Sequence, residues 1–384
     1  MNFAEEPTLP AILDTFEYIE NIQAGLPTCR IKLNCRDLDS RFVSSSLFDG
    51  AKVAVRIQHE TIQFDYNLKF ALFGSPVVTP SRLTNEGYDI SMYGILDNYK
   101  YLTGVAGNSY QGSVSSVLKT IAAECGLATS LIQTAENQTW YGHGRAHCNF
   151  ARHLVDHCYL SPSSLPILGI THPNTLVMKD VVDMMKKKPK HVLTYQTKVK
   201  YKDDTKTKSD QAIEENTYVF ATYQTKNVSG LYNSIGSYGS TFLQDSTSSA
   251  KSFESKSITF DRMLANSEIN KDTKSSIKEA TVTYMPLDTG NTYDNFYVAE
   301  AKNKRIRNLY SNIFKALVVN EYTKIRLLDG VHLSIDLKFE DAKDTTYSGN
   351  YIVTAKTVNI TRNVFREAIT LTNYGRNMAT SSLL

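Results

Sequence analysis

Apolar and polar residues alternate along the first hundred residues, with Cys29, Ile31, Leu33 and Cys35 on one face of the run 28–37. The same period of two returns at Val53, Val55 and Ile57, with Lys52, Arg56 and Gln58 on or near the other face. It returns again at Phe64, Tyr66, Leu68 and Phe70, and over Tyr88 to Tyr93 between Gly87 and Gly94. Alternation is the mark of a half-buried strand, and Asp49-Gly50 supplies a turn between two of the runs. An antiparallel sheet or small barrel is predicted over 25–108, after an N-terminal extension, 1–24.

The period then changes. Val114, Val117, Leu118, Ile121 and Cys125 recur at helical spacing, with Ser113 or Gly112 placed to open the helix and Gly126 to cap it. A second helix is predicted over about 149–159, capped by Asn149 and lined by Phe150, Leu154 and Cys158, and a short third one within 174–185. These make a helical segment, 109–190. A mixed β/loop insert, 191–290, follows, polar around 198–210 and with a strand at 218–225. A stripe at Phe296, Ala299, Lys302 or Asn303, Ile306, Leu309 or Tyr310 and Ile313 predicts a connecting helix over 291–314. Strands then fill 315–376: Phe314–Val319, the alternation Val331, Leu333, Ile335, Leu337, the run 349–360, and 365–372, the last two joined by a turn at 361–364. Residues 377–384 form a tail. The expected class is mainly β with helical segments: two antiparallel barrels joined by helices and a mixed insert.

Composition narrows the function more than the fold. The 384 residues carry 42 basic and 39 acidic side chains, net +3. That balance does not suit a duplex-DNA binder, which gathers cations on one face. The densest basic run, Lys186 to Lys190, reads as a solvated helix end. Twenty-three tyrosines and 16 phenylalanines against one tryptophan favour strands, and tyrosine favours protein interfaces. Five cysteines with no Cys-x-x-Cys spacing predict free, mostly buried thiols. The opening Met1-Asn2-Phe3-Ala4-Glu5-Glu6 lacks a basic region followed by an apolar core, so no signal peptide is expected. No run of 18 apolar residues is present to suggest a membrane-crossing helix.

Candidate chemistry is sparse. His143, His147, His153 and His157 are half of the histidines, and His153 and His157 stand four apart on one predicted helix, a metal-ligand spacing. The metalloprotease pattern needs Glu after the first His, and Leu154 stands there. Hydrogen-bonded histidines are the expected outcome, with no metal and no cofactor. No Gly-x-Ser-x-Gly elbow or phosphate loop occurs, and no pair of carboxylates is singled out for glycoside hydrolysis. The segment 228–240 alternates small and aromatic residues, and Gly230, Tyr232, Gly236, Tyr238 and Gly239 are its candidate interface residues.

One C-terminal pattern is more specific. Leu327-Leu328-Asp329-Gly330-Val331-His332-Leu333-Ser334-Ile335 is a turn entering a strand. Tyr347-Ser348-Gly349-Asn350-Tyr351-Ile352-Val353-Thr354-Ala355-Lys356 and Glu367-Ala368-Ile369-Thr370-Leu371-Thr372-Asn373-Tyr374-Gly375 are the arms of a hairpin. Together they resemble the C-terminal barrel of phage tail hub proteins: the baseplate hub of contractile-tailed phages, the late control protein, and the hub region of type VI secretion spikes. The signature residues are Gly330, Tyr347, Gly349, Tyr351, Val353, Leu371 and Gly375. The segments 110–127, 140–157 and 230–239 fit the same family.

The resemblance implies a structural virion protein of the tail or baseplate, assembled in the host cytoplasm, and not an enzyme. It implies a homotrimer whose two β units per subunit join the sixfold tail tube, or a tube adapter, to the threefold central spike. Baseplate wedge or tape measure proteins would be further neighbours, and DNA would pass through without specific binding. Rival expectations are a hub with a peptidoglycan-degrading insert, a carbohydrate- or receptor-binding virion protein, and a metallohydrolase built on the histidines.

Overall fold

A computed structural model describes residues 11–36, 48–59, 64–80, 87–107, 109–161, 164–195, 216–227, 240–245, 253–256, 281–285, 299–300, 303, 312–335, 347–361 and 364–373. The chain is mainly β with short helices. Six strands open it: β1 (Ala11–Asn21), β2 (Thr28–Arg36), β3 (Lys52–His59), β4 (Phe64–Leu72), β5 (Val77–Pro80) and β6 (Gly87–Leu96). The alternation decides which side chains go inward. Cys29, Ile31 and Cys35 of β2, Leu68 and Phe70 of β4, and Ile90, Met92 and Leu96 of β6 are buried in one core.

The middle of the chain holds α1 (Tyr99–Thr103), β7 (Ser109–Gly112), α2 (Val114–Glu124), β8 (Ala128–Leu131), β9 (Gln138–Tyr141), α3 (His147–Asp156), β10 (Pro166–Thr171), β11 (Thr175–Asp180) and α4 (Val181–Lys186). Helix α2 matches its sequence signals. Val114, Val117, Leu118 and Ile121 are buried, the Ser113 hydroxyl accepts from the Ser116 N–H at 3.2 Å, and Gly126 ends the helix at φ +68°.

Helix α3 corrects its prediction. It begins at His147, two residues earlier than expected, and Asn149 lies inside it rather than capping it. No side chain caps this end. The His147 N–H donates instead to the Gly104 carbonyl at 2.9 Å, so a neighbouring loop satisfies a donor that a cap would have taken. The helix expected within 174–185 is also corrected. Residues 175–180 are β11, paired with β10 and β8, and only 181–186 are helical. Leu176, Val177 and Met178 are buried in succession, which a strand covered on both faces allows.

The remaining strands are β12 (His191–Tyr195), β13 (Thr217–Val219), β14 (Thr222–Asn227), β15 (Ser240–Asp245), β16 (Phe253–Lys256), β17 (Thr281–Met285), β18 (Asn312–Val319), β19 (Gly330–Ile335), β20 (Gly349–Thr361) and β21 (Val364–Asn373). Strands β15, β16 and β17 form a small sheet of their own. Of the predicted connecting helix, Ala299, Glu300 and Asn303 are helical. Residues 312–314 belong to β18, where pairing with β14 and β21 claims Ile313 and Phe314. The rest of that stripe lies outside the described residues.

Among the described residues the two expected antiparallel barrels do not stand as separate closed barrels. Thirteen strands join in one sheet, with β1 between β2 and β20. Residues 11–21, expected in an extension ahead of the first unit, are therefore its structural centre. The physical reason is the length of β20. Its 13 residues present one edge to β21. Along the other edge Gly349–Ile352 pair with β19 and Ala355–Thr361 pair with β1. A register shift between Val353 and Ala355 falls where that edge changes partner, and a bulge there bends the strand.

The second half carries its own core, formed by Leu193, Tyr218, Phe220, Phe314, Val331, Leu333, Tyr351, Val353, Ile369 and Leu371 among others. Its sheet folds back on itself. In 217–227 the first part, β13, pairs with β12 and the second, β14, pairs with β18. At the bend the Phe220 N–H donates to Thr194 O at 3.1 Å and the Ala221 N–H to Leu317 O at 2.8 Å. Strands β12 to β14, expected in an insert, thus build the second half. The β12–β13 and β12–β19 pairs are parallel, another departure from the antiparallel expectation.

Candidate functional site

Two of the four clustered histidines are in contact. His153 and His157 are one turn apart on and just beyond α3, with ring centroids 4.2 Å apart. His157 Nδ1 lies 2.8 Å from the His153 carbonyl and its Nε2 lies 3.3 Å from Glu300 Oε2. Burial, then the neighbouring His157 and Arg145, push His153 down to about 3, so its ring is neutral at pH 7. His143 sits in a turn at φ +49°, and His147 is buried with Nε2 3.8 Å from Glu124 Oε2. Among the described residues no three His, Cys, Asp or Glu side chains are grouped to hold a cation. None of the five cysteines forms a disulfide and all are buried, and burial pushes the Cys29 thiol up to about 12, away from reactivity.

A stronger polar constellation lies at the seam between the halves. Strand β1 turns Phe16, Tyr18 and Glu20 inward on one face, all buried. Glu20 Oε1 accepts from the Tyr18 hydroxyl at 2.9 Å and the His172 N–H at 2.7 Å, and Oε2 accepts from the Thr171 hydroxyl at 3.3 Å. Burial raises the Glu20 pKa, against the lowering effects of these bonds and of Lys356. Lys356, its cross-strand partner on β20, places Nζ 3.0 Å from Glu367 Oε1. The ammonium also donates to the carbonyls of Thr323 and Ile325 at 3.1 and 3.0 Å. Glu367 Oε2 accepts from the Thr323 N–H at 2.9 Å and hydroxyl at 2.5 Å.

Glu20, Lys356 and Glu367 are 3%, 4% and 0% exposed, so no dissolved substrate reaches them. Their arrangement braces β1, β20, β21 and the 321–326 segment against one another. Sequence reasoning missed these residues. The available signal was a charged residue at the inward position of an apolar alternation: Glu20 after Phe16 and Tyr18, and Glu367 before Ile369 and Leu371.

The C-terminal signature residues have structural roles. Gly330 opens β19, and Gly349 opens β20 at φ +152°, a conformation that favours glycine. The Tyr351 hydroxyl donates to the Tyr347 carbonyl at 2.8 Å, and Val353 and Leu371 are fully buried in the second core. Gly375 lies outside the described residues, as do the interface candidates Gly230, Tyr232, Gly236, Tyr238 and Gly239. A different surface is open to a partner. All four residues of β5 are exposed, and Phe73 just before it is 75% exposed. Among the described residues β5 pairs only with β6, which leaves its other edge unpaired.

No protein-family model and no curated protein matches the chain. Solved structures do. The 43 kDa tail protein of prophage MuSo2 from Shewanella oneidensis shares 9% identity at a TM-score of 0.51, covering 94% of this chain and 93% of that one. The tail protein from Neisseria meningitidis MC58 shares 10% identity at a TM-score of 0.53, covering 94% and 92%. The chain has the fold of these tail proteins. The likeness covers 94% of the chain, so it is not confined to the C-terminal segment. At such identities the agreement is one of architecture.

Proposed function

We propose that this chain is a structural protein of a phage tail or baseplate: a homotrimeric hub that joins the sixfold tube to the threefold spike. The observation that carries the reading is the β1–β20 ladder, which holds two β halves, each with its own core, in one sheet. A trimer of such subunits offers six β units around one axis while keeping threefold symmetry. The shared fold with tail proteins over nearly the whole chain supports it.

The work of such a hub is geometric. Tube or tube adapter above and spike below bind by complementary surface, with wedge or tape measure proteins as further neighbours. DNA passes through the enclosed channel without a specific site. No bond is made or broken. Its place is the virion, after assembly in the host cytoplasm. The unpaired edge of β5, flanked by Phe73 and carrying Val77 at 55% exposure, is the surface we assign to contact between subunits.

Native mass spectrometry of the purified chain tests the reading. Three copies are expected, and Val77→Lys with Phe73→Ser should shift the mass to one copy. A strict monomer that is also absent from tail particles would sink the proposal.

A further inference from the structure

A second surface feature lies apart from β5 and goes beyond the structural role. Where α4 ends, the 321–326 segment runs past it, and between them is a cleft of about 640 Å³. Its walls are cationic. Lys187, Lys188 and Lys190 come from the end of α4, and Lys324 and Arg326 come from the facing segment. In that segment Thr323 and Ile325 are buried while Lys324 and Arg326 are exposed, so both cations stand on one side.

Little of this charge is neutralised. Lys187 is held by Asp183 at 2.6 Å. Asp329, the carboxylate in the lining, takes Lys179 at 3.1 Å through one oxygen and accepts from the Arg326 N–H at 2.8 Å through the other. Among the described residues no ion pair engages Lys188, Lys190, Lys324 or Arg326. A second observation points to a ligand. His191 lines the cleft and is only 4% exposed; its Nε2 lies 3.9 Å from Asp329 Oδ2, and its Nδ1 has no hydrogen-bond partner. A buried ring nitrogen left unpaired costs stability unless something occupies the site.

We infer that this cleft binds an acidic, extended peptide segment of a partner protein. Three features favour peptide over nucleic acid. The cations converge on one cleft and do not run as a stripe along a face, as a duplex requires. The lining also includes Met184 and Pro189, apolar groups that suit aliphatic side chains between carboxylates and have no counterpart in a phosphodiester backbone. The tyrosine in the lining, Tyr322, already lies under the Lys356 ammonium at 5.1 Å and edge-on to Phe365, which hinders base stacking. The inference rests on the cleft alone and does not depend on the trimer.

Fluorescence anisotropy of the full chain with a labelled peptide of alternating glutamate and leucine tests it, beside a labelled single-stranded oligonucleotide. The peptide is expected to bind, and Lys190→Glu with Lys324→Glu and Arg326→Glu should weaken it at least about tenfold. Lys69→Glu with Lys119→Glu, exposed cations elsewhere, should leave the affinity within about twofold. Native emission of Trp140 checks that the variants are folded. If the charge reversal unfolds the chain, Lys190→Gln with Lys324→Gln replaces it, with the same direction expected. No peptide binding, equal loss in the control variant, or tighter binding of the oligonucleotide each overturns the inference.

Discussion

Glu20 on β1 and Lys356 on β20 are direct cross-strand partners, both buried, where the two β halves meet. Among the described residues the lysine is the cation ion-paired in a constellation that also holds the fully buried Glu367. Removing it leaves two buried carboxylates with their hydrogen bonds but without this cation in a low-dielectric interior. Lys356→Met should destabilise the chain by about 3–5 kcal/mol, the range for breaking one side of a buried ion pair. Urea unfolding followed by Trp140 emission measures it, and a loss within the error of the fit would show that the brace contributes nothing.

Asn303 makes a second long-range tie. Its side-chain amide donates to the carbonyls of Val155, Asp156 and Cys158 at 3.3, 2.9 and 3.0 Å, so it satisfies the end of α3 from 145 or more residues away. Asn303→Ala removes this donor from those carbonyls. A loss of about 1–3 kcal/mol is expected in the same unfolding experiment.

Gly94 pairs with Cys29 across β2 and β6, and a Cβ at position 94 would lie 2.8 Å from Cys29 Sγ and 3.0 Å from Phe70 Cβ. Gly94→Ala should cost about 1–3 kcal/mol through overpacking. Cys29→Ala in the same chain removes the nearer clash, so the two changes together should cost less than their sum. Additive costs in a double-mutant cycle would contradict the contact.

Acid should weaken the fold through its histidines. His153 is held at about 3 and His172 at about 4, both chiefly by burial, against an ordinary value of 6.5. Arg145, His157 and His143 also disfavour the His153 charge, while Glu300 favours it. Both folded values are depressed, so the unfolded chain takes up protons first. The stability from neutral rings is complete above pH 6.5 and falls as pH drops toward 4 and 3. Each ring contributes at most about 1.4 kcal/mol per pH unit in that window. Glu20, whose pKa is raised, acts in the opposite direction, its contribution being lost as pH rises. His153→Gln should flatten the acid limb of a plot of unfolding free energy against pH. An unchanged slope would mean that His153 is solvated.

The sequence by itself determined the elements whose cause is local. Alternation placed β2, β4 and β6, and the apolar stripe with Ser113 and Gly126 placed α2, because a side chain's face follows from its position in the repeat. It also marked Gly330 and Gly349, which open β19 and β20. Where a distant group supplied the deciding bond, the sequence was silent. Helix α3 starts at His147 because Gly104 offers a carbonyl, and Ala11–Asn21 is a central strand because β20 is long enough to serve β19 and then β1. The Glu20–Lys356–Glu367 brace and the cationic cleft exist only once residues more than a hundred positions apart are brought together. Tertiary structure decided them because burial and charge pairing depend on distance in space, which sequence separation does not encode.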